Sequence, residues 1–263
     1  RGYMKNLFNI IVIVLALVIS YAIYSFYFGN PDNFIDGELR KEPQPGNIVG
    51  MIYTGGPIVA ILMSLIIVAV TFSIERQLSI NKAKGKGDIS MYIKKTIDSL
   101  VKGNYDDALK ECEKQRGSLA NILRASIERF KDVKDDKELD KEKKMSEVQR
   151  AVDEATNLET PLLEKNLVIL STIASISVLF GLLGTTVGMI RAFAAFGGTG
   201  TVDAATLAVG ISEALYNTAG GLAGAIISIV AYNFFSTKVD NYVYMIDEAI
   251  LNVTQIFTVH VKH

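Results

Sequence analysis

One acidic residue, Glu213, lies inside an apolar run at residues 204–235 that is long enough to cross a lipid bilayer. A charged side chain at membrane depth costs roughly 2.5–3.5 kcal/mol on insertion scales, so an acid in such a run predicts a functional site. Small and polar residues recur with Glu213 at steps of three and four, among them Asn217 and Ser228. This spacing puts them on one face of a helix, where they could form a polar path or a surface for close packing.

The apolar run before it, residues 167–196, offers small side chains and hydroxyl groups and carries a single charge, Arg191, near its end. Both runs contain glycines at a spacing of four, which permits two membrane helices to pack closely. We interpret the glycines as packing residues of a helical hairpin and Glu213 as functional, because packing does not require an acid. The candidate packing residues of the pore helices are Gly181, Gly184, Gly188, Gly210, Asn217, Gly220, Gly221 and Gly224.

Two threonines in these runs, Thr185 and Thr218, are candidates for a polar path because a hydroxyl group can bind water or a carboxylic acid. The alternative is that each hydroxyl bonds to its own helix, as membrane threonines often do. Thr218 follows Glu213 by five residues, which is about 140° around an ideal helix. If both residues act, the path is therefore broad, or the two serve different surfaces.

The elements that would position these residues are membrane helices. The chain has 263 residues, of which 49% are hydrophobic, and a mean hydropathy of +0.28. A single segment satisfies its backbone in lipid only as a helix, and four runs are long enough to do so. The sequence therefore predicts an all-α membrane protein with four transmembrane helices and long helices that extend into a cytoplasmic helical domain. The four runs are residues 7–28, 50–74, 167–196 and 204–235.

Most of the lysines and arginines lie between the second and third runs, interleaved with acids, so this stretch is a solvated helical domain rather than a nucleic-acid surface. Its last helix, from Met145, is predicted to continue into the third membrane run with a kink at Pro161 and no other break. The predicted segments are an anchor helix at 1–28, a periplasmic loop at 29–49, a second membrane helix with a cytoplasmic extension at 50–84, a cytoplasmic domain at 85–165, a third membrane helix at 166–196, a periplasmic turn at 197–203, a fourth membrane helix at 204–237 and a cytoplasmic C-terminal tail at 238–263.

The orientation follows from basic residues at the edges of the runs. Arg1 and Lys5 before the first run could belong to a signal peptide, but the run is longer than a signal-peptide core and lacks a small-residue cleavage site. We therefore predict a retained anchor. Arg76 and three lysines follow the second run, which favours a cytoplasmic polar domain and two cytoplasmic termini.

The sequence offers no catalytic centre. It contains no metal-ligand spacing, no Gly-rich phosphate loop and no catalytic triad. Cys112 is the single cysteine, which excludes a disulfide within the chain and favours a packed or surface thiol. His260 and His263 at the C-terminal end favour a tail over a metal site. We expect no enzyme activity, no cofactor and no metal.

Two motifs carry a resemblance to a known family. Residues 180–190, FGLLGTTVGMI, and residues 210–222, GISEALYNTAGGL, resemble the membrane hairpin of the MotA/TolQ/ExbB proton-channel family and are most similar to ExbB and TolQ. The resemblance implies a bacterial inner-membrane subunit that forms a homopentamer around an ExbD/TolR-like single-helix partner, with a TonB/TolA-like protein as a further partner. It places Thr185 and Thr218 on the family's pore threonines and Glu213 on its membrane glutamate. The proton motive force would drive such a protein.

The first membrane run departs from the ExbB and TolQ pattern, which usually has three membrane helices, whereas MotA has four. The hairpin itself is unlike that of MotA, which usually has a pore-lining proline where this third helix has serine and glycine. The expected function is a channel-forming subunit that couples proton flow to energised outer-membrane transport or envelope maintenance. Protons would reach a partner Asp beside Thr185 and Thr218, with Glu213 shaping the field. A MotA-like flagellar stator and a non-conducting membrane scaffold are the alternatives.

Overall fold

A computed structural model of the chain describes residues 2–37, 42–194 and 204–261. These residues are almost entirely helical, and the extended pairing among them is an isolated bridge between Phe34 and Pro43. Within these ranges four helices are long and apolar enough to cross a membrane, which confirms the predicted all-α membrane protein. The helices are α1 (Gly2–Ala22), α2 (Ile48–Tyr53), α3 (Pro57–Lys84), α4 (Ile89–Val101), α5 (Tyr105–Gln115), α6 (Ser118–Val133), α7 (Lys141–Glu164), α8 (Leu167–Ala194) and α9 (Ala204–His260).

The chain folds into two compact units. The membrane unit comprises Arg1–Ile74 and Val168–Asn233, and the polar unit comprises Glu75–Leu167 and Phe234–His263. The periplasmic turn predicted at residues 197–203 lies outside the described residues, as does His263.

In the membrane unit, α1 packs through one narrow stripe. Ala16, Ser20 and Tyr24 are buried at steps of four residues, whereas most other apolar side chains of the segment are exposed. The helix ends in a π-helical turn at Ile23–Phe28. The chain then turns back through Asn33, whose side-chain amide donates to the carbonyl oxygen of Tyr27 over 3.0 Å.

The second membrane helix is interrupted near its start. The single helix that the sequence predicts at residues 50–84 is wrong, because α2 ends at Tyr53 and α3 begins at Pro57. Gly56 has a φ of +77°, a conformation that ends a helix and that glycine adopts without steric cost. Pro57 then occupies the first helical position, where a missing N–H does no harm. We call residues 54–56 the α2–α3 junction.

The third membrane helix is also separated from the helix before it. The predicted continuity of residues 145–196, with a kink at Pro161, is wrong: Pro161 lies inside α7, and the break falls at Asn166, whose φ is +64°. Asparagine tolerates this left-handed conformation better than most residues. Its side-chain amide donates to Glu75 Oε2 over 3.2 Å, and Arg76 Nη1 donates to the carbonyl oxygen of Leu163 over 3.3 Å. The bond from Arg76 satisfies a carbonyl group that the end of α7 leaves unpaired.

The polar unit is a helical bundle with its own core. The ring of Phe130 on α6 stacks on that of Phe257 on α9, with 4.1 Å between their centroids. The sequence predicts a cytoplasmic tail at residues 238–263, but α9 continues through most of this region to His260. The region is helical because it carries an apolar stripe at helical spacing that is buried in the polar unit. The stripe consists of Val239, Tyr242, Ile246, Ala249, Val253 and Phe257.

Candidate functional site

Helices α8 and α9 run antiparallel and are in backbone contact through their glycines. A Cβ built on Gly188 would lie 2.9 Å from the carbonyl oxygen of Gly210, and one built on Gly221 would lie 2.8 Å from the Cα of Gly181. Gly224 meets Ser177 one turn further along. Gly184 faces Asn217, and a methyl group added to Gly184 would overlap the Asn217 side chain. All but one of the predicted packing residues therefore lie at this contact.

The exception is Gly220. A Cβ built there would lie 3.3 Å from Cδ1 of Leu62 on α3, at the end of a flexible side chain. The two neighbouring glycines of α9 therefore differ in what they contact, because successive residues of a helix point about 100° apart.

The membrane glutamate has a cationic partner. Arg191 Nη1 donates to Glu213 Oε1 over 2.5 Å, and the side chain of Glu213 is 6% exposed whereas that of Arg191 is 49% exposed. The two apolar runs, taken one at a time, do not predict this pair. A signal was available, because each is the single charge of its apolar run and an antiparallel hairpin brings two such positions together.

The α2–α3 junction forms a further wall of this site. Asn217 Nδ2 donates to the carbonyl oxygen of Gly55 over 2.7 Å. A Cβ on Gly56 would lie 2.6 Å from Glu213 Oε1 and 3.4 Å from Arg191 Nη1, so the absence of a side chain lets the junction backbone approach the ion pair. The sequence does not predict this contact, although Gly-Gly-Pro at residues 55–57 is a turn signal.

The two candidate threonines differ in their hydrogen bonding. Thr185 Oγ1 donates to the carbonyl oxygen of Leu182 over 2.6 Å, which is the bond to its own helix that the sequence analysis left open. Thr218 Oγ1 is buried and has no hydrogen-bond partner among the described residues. Its backbone lies on the side of α9 that faces Gly181. A buried hydroxyl without a partner can accept or donate to water or to another chain.

These residues form a polar cluster among the apolar helices of the membrane unit. Its centre is the Arg191–Glu213 ion pair, flanked by the Asn217 amide and the Gly55 carbonyl group. Such a cluster can hold charge at membrane depth and provide hydrogen-bonding groups along one helix face. No group of three or more His, Cys, Asp or Glu side chains in the described part of the chain is arranged to hold a metal ion.

Comparison with known proteins matches the same region. A model of the MotA/TolQ/ExbB proton channel family matches residues 114–248, just over half of the chain. The chain is 32% identical to the Tol-Pal system protein TolQ of Pseudomonas aeruginosa over 161 residues, which cover 58% of the chain and 70% of that protein.

Shorter stretches match other relatives at higher identity. The chain is 46% identical over 87 residues to the biopolymer transport protein ExbB of Helicobacter pylori, covering 33% of the chain and 58% of that protein. It is 42% identical over 91 residues to TolQ of Haemophilus influenzae, covering 35% of the chain and 40% of that protein.

Proposed function

We propose that this chain, which belongs to the MotA/TolQ/ExbB proton channel family, is the channel-forming subunit of a proton-driven motor in a bacterial inner membrane. The chain is an ExbB/TolQ-like multi-pass membrane protein. In the proposed motor, copies of it form a homopentamer around the membrane helix of an ExbD/TolR-like partner that carries an Asp. Proton flow then drives outer-membrane transport or envelope maintenance, through a TonB/TolA-like protein.

The observation that carries the proposal is the polar cluster between α8 and α9. A buried acid with an arginine partner is costly in a membrane. Close packing through glycines requires neither an acid nor an arginine, so packing does not explain the pair. One elementary charge that crosses the membrane releases roughly 2.3 kcal/mol per 100 mV, which is comparable with the cost of holding a single charge in lipid. A path of fixed polar groups can therefore be opened or closed by one protonation event.

The unpartnered hydroxyl of Thr218 supports a route to a second chain. We propose that Thr218, with Thr185, faces the carboxyl group of the partner Asp and that Glu213 sets the local field. Thr218 is the stronger candidate because its hydroxyl group makes no bond to its own helix, whereas that of Thr185 does.

The test is proton flux through proteoliposomes that contain the chain and its co-expressed single-helix partner. Thr→Val keeps the shape of the side chain but removes its hydrogen bonds, and a polar group left unpaired costs roughly 1–3 kcal/mol. We expect Thr218→Val and Thr185→Val each to abolish flux without changing the oligomer. The matched control is Thr172→Val, because Thr172 is an exposed α8 threonine that bonds to the carbonyl oxygen of Val168 over 2.7 Å.

Full flux in both pore variants would remove the threonines from the mechanism. No flux from the unmodified complex, under an imposed potential and pH gradient, would instead favour a non-conducting scaffold. Native mass spectrometry of the same complex in mild detergent tests assembly. A monomeric chain there contradicts the proposed ring. A partner with a peptidoglycan-binding domain would favour a flagellar-type stator.

A further inference from the structure

We infer that Tyr24 on the first membrane segment is a positioning residue for the Arg191–Glu213 ion pair and acts through the α2–α3 junction. The inference deepens the proposed function and rests on it for its effect on proton flux. It also gives a structural role to the first membrane helix, which ExbB and TolQ usually lack.

The first contact joins Tyr24 to the residue that ends α2. The Tyr24 hydroxyl group donates to the carbonyl oxygen of Tyr53 over 3.3 Å, and the two rings stack with 4.6 Å between their centroids. Tyr24 is 3% exposed and Tyr53 is 8% exposed, so the hydrogen bond is shielded from solvent. Phe34 packs edge-on against the ring of Tyr53 and completes a small aromatic cluster.

The carbonyl oxygen of Tyr53 is also part of the junction itself. It accepts from the backbone N–H of Gly56 over 3.1 Å, which closes the turn between α2 and α3. Two residues further along the chain, the carbonyl oxygen of Gly55 accepts a hydrogen bond from the side-chain amide of Asn217 on α9. Two carbonyl groups of one short turn are thus held by side chains from the π-helical turn after α1 and from α9.

The junction in turn sets the surroundings of the ion pair. The Cα of Gly56 approaches Glu213 so closely that a methyl group there would lie 2.6 Å from Oε1. Its left-handed φ of +77° depends on the turn that the carbonyl group of Tyr53 closes. Without the Tyr24 hydroxyl group, the Tyr53 carbonyl oxygen loses a hydrogen bond that helps to fix this turn, and Gly56 is held less firmly beside the carboxylate.

Solid-state NMR in lipid bilayers gives a readout that general stability does not move. Glutamate labelled with ¹³C at Cδ reports on the Glu213 carboxylate, whose signal is assigned by its loss in Glu213→Gln. Tyr53 and Thr54 form the only Tyr–Thr pair in the sequence, so ¹³C-carbonyl tyrosine with ¹⁵N-threonine yields one correlated signal from the Tyr53 carbonyl group.

We expect Tyr24→Phe, which keeps the ring and removes one hydroxyl group, to shift both signals. The matched control is Tyr27→Phe, because Tyr27 is 64% exposed on the same segment; it should shift neither. Tyr24→Leu also removes the ring and should enlarge both shifts. An unchanged Glu213 signal in Tyr24→Phe overturns the inference, whether or not the Tyr53 signal moves.

Proton flux separates this inference from the proposed function. With the partner present, Tyr24→Phe should lower flux roughly two- to tenfold, the range that one hydrogen bond of ordinary net strength spans. Unchanged flux in Tyr24→Phe would limit Tyr24 to structure and overturn its part in transport. If the unmodified complex does not conduct, the proposed function fails, and the NMR signals alone decide whether Tyr24 positions the ion pair.

Discussion

Gly221 packs directly on the backbone of Ser177, and a Cβ added to it would lie 2.6 Å from the Ser177 carbonyl oxygen. Real Cβ atoms do not come this close to backbone, so the helices α8 and α9 would have to separate. We expect Gly221→Ala to lower the free energy of unfolding by about 1–3 kcal/mol, the usual cost of overpacking. Thermal unfolding in detergent measures the effect.

The neighbouring glycine supplies the control for that prediction. Gly220→Ala adds the same methyl group one residue earlier, where it meets the end of the Leu62 side chain, which can move. Its unfolding temperature should stay close to that of the unmodified protein. Equal losses in the two variants would show that helix propensity or lipid contacts, and not the α8–α9 contact, decide the outcome.

The Arg191–Glu213 ion pair is the basis of a second prediction, again about the free energy of unfolding. Arg191→Met leaves the buried carboxylate of Glu213 without its cation, and breaking a buried pair from one side costs about 3–5 kcal/mol in soluble proteins. We expect a smaller loss, because half of the Arg191 side chain is exposed. The double variant with Glu213→Gln removes both charges and should recover part of the loss. A double variant less stable than Arg191→Met would contradict an attractive pair.

The predicted topology can be tested by labelling single cysteines in intact cells. Gln44→Cys lies in the loop after α1, and Lys102→Cys follows α4; both positions are exposed. In a Cys112→Ala background, a membrane-impermeant maleimide should label position 44 from the periplasm and position 102 only after the inner membrane is opened. The reverse labelling pattern would show that the chain has the opposite orientation in the membrane.

Cys112 should react slowly while the polar unit is folded. Cys112 is 3% exposed, and its thiol sulfur lies 3.1 Å from the hydroxyl oxygen of Tyr92. Burial raises the pKa of the Cys112 thiol above its usual value, so less of the reactive thiolate is present at mildly alkaline pH. We expect reaction with a disulfide reagent at pH 8 to be slow in the native protein and fast in denaturant. Fast labelling of the native protein would show that α5 opens readily.

The sequence predicts the membrane helices well, because length and hydrophobicity alone identify a span. It also predicts the close contact of α8 and α9, because glycines at a spacing of four have few other uses in lipid. The sequence does not predict the break at Gly56, since its turn residues lie inside an apolar run and are hidden when the whole run is averaged. It does not predict the break at Asn166 because asparagine adopts the left-handed conformation only occasionally. The ion pair was missed because its two halves lie 22 residues apart, and their contact depends on the register of the hairpin.

The bond between Asn217 and Gly55 also bears on how the chain is made. The two residues are 162 positions apart, so the carbonyl group of Gly55 is synthesised long before its partner. At about 5–20 residues per second, the delay is roughly 8–32 s. Throughout this interval the second span carries a turn whose carbonyl group has to be covered by water or by the insertion machinery. Biogenesis of the second span is therefore complete only when the last span has entered the bilayer.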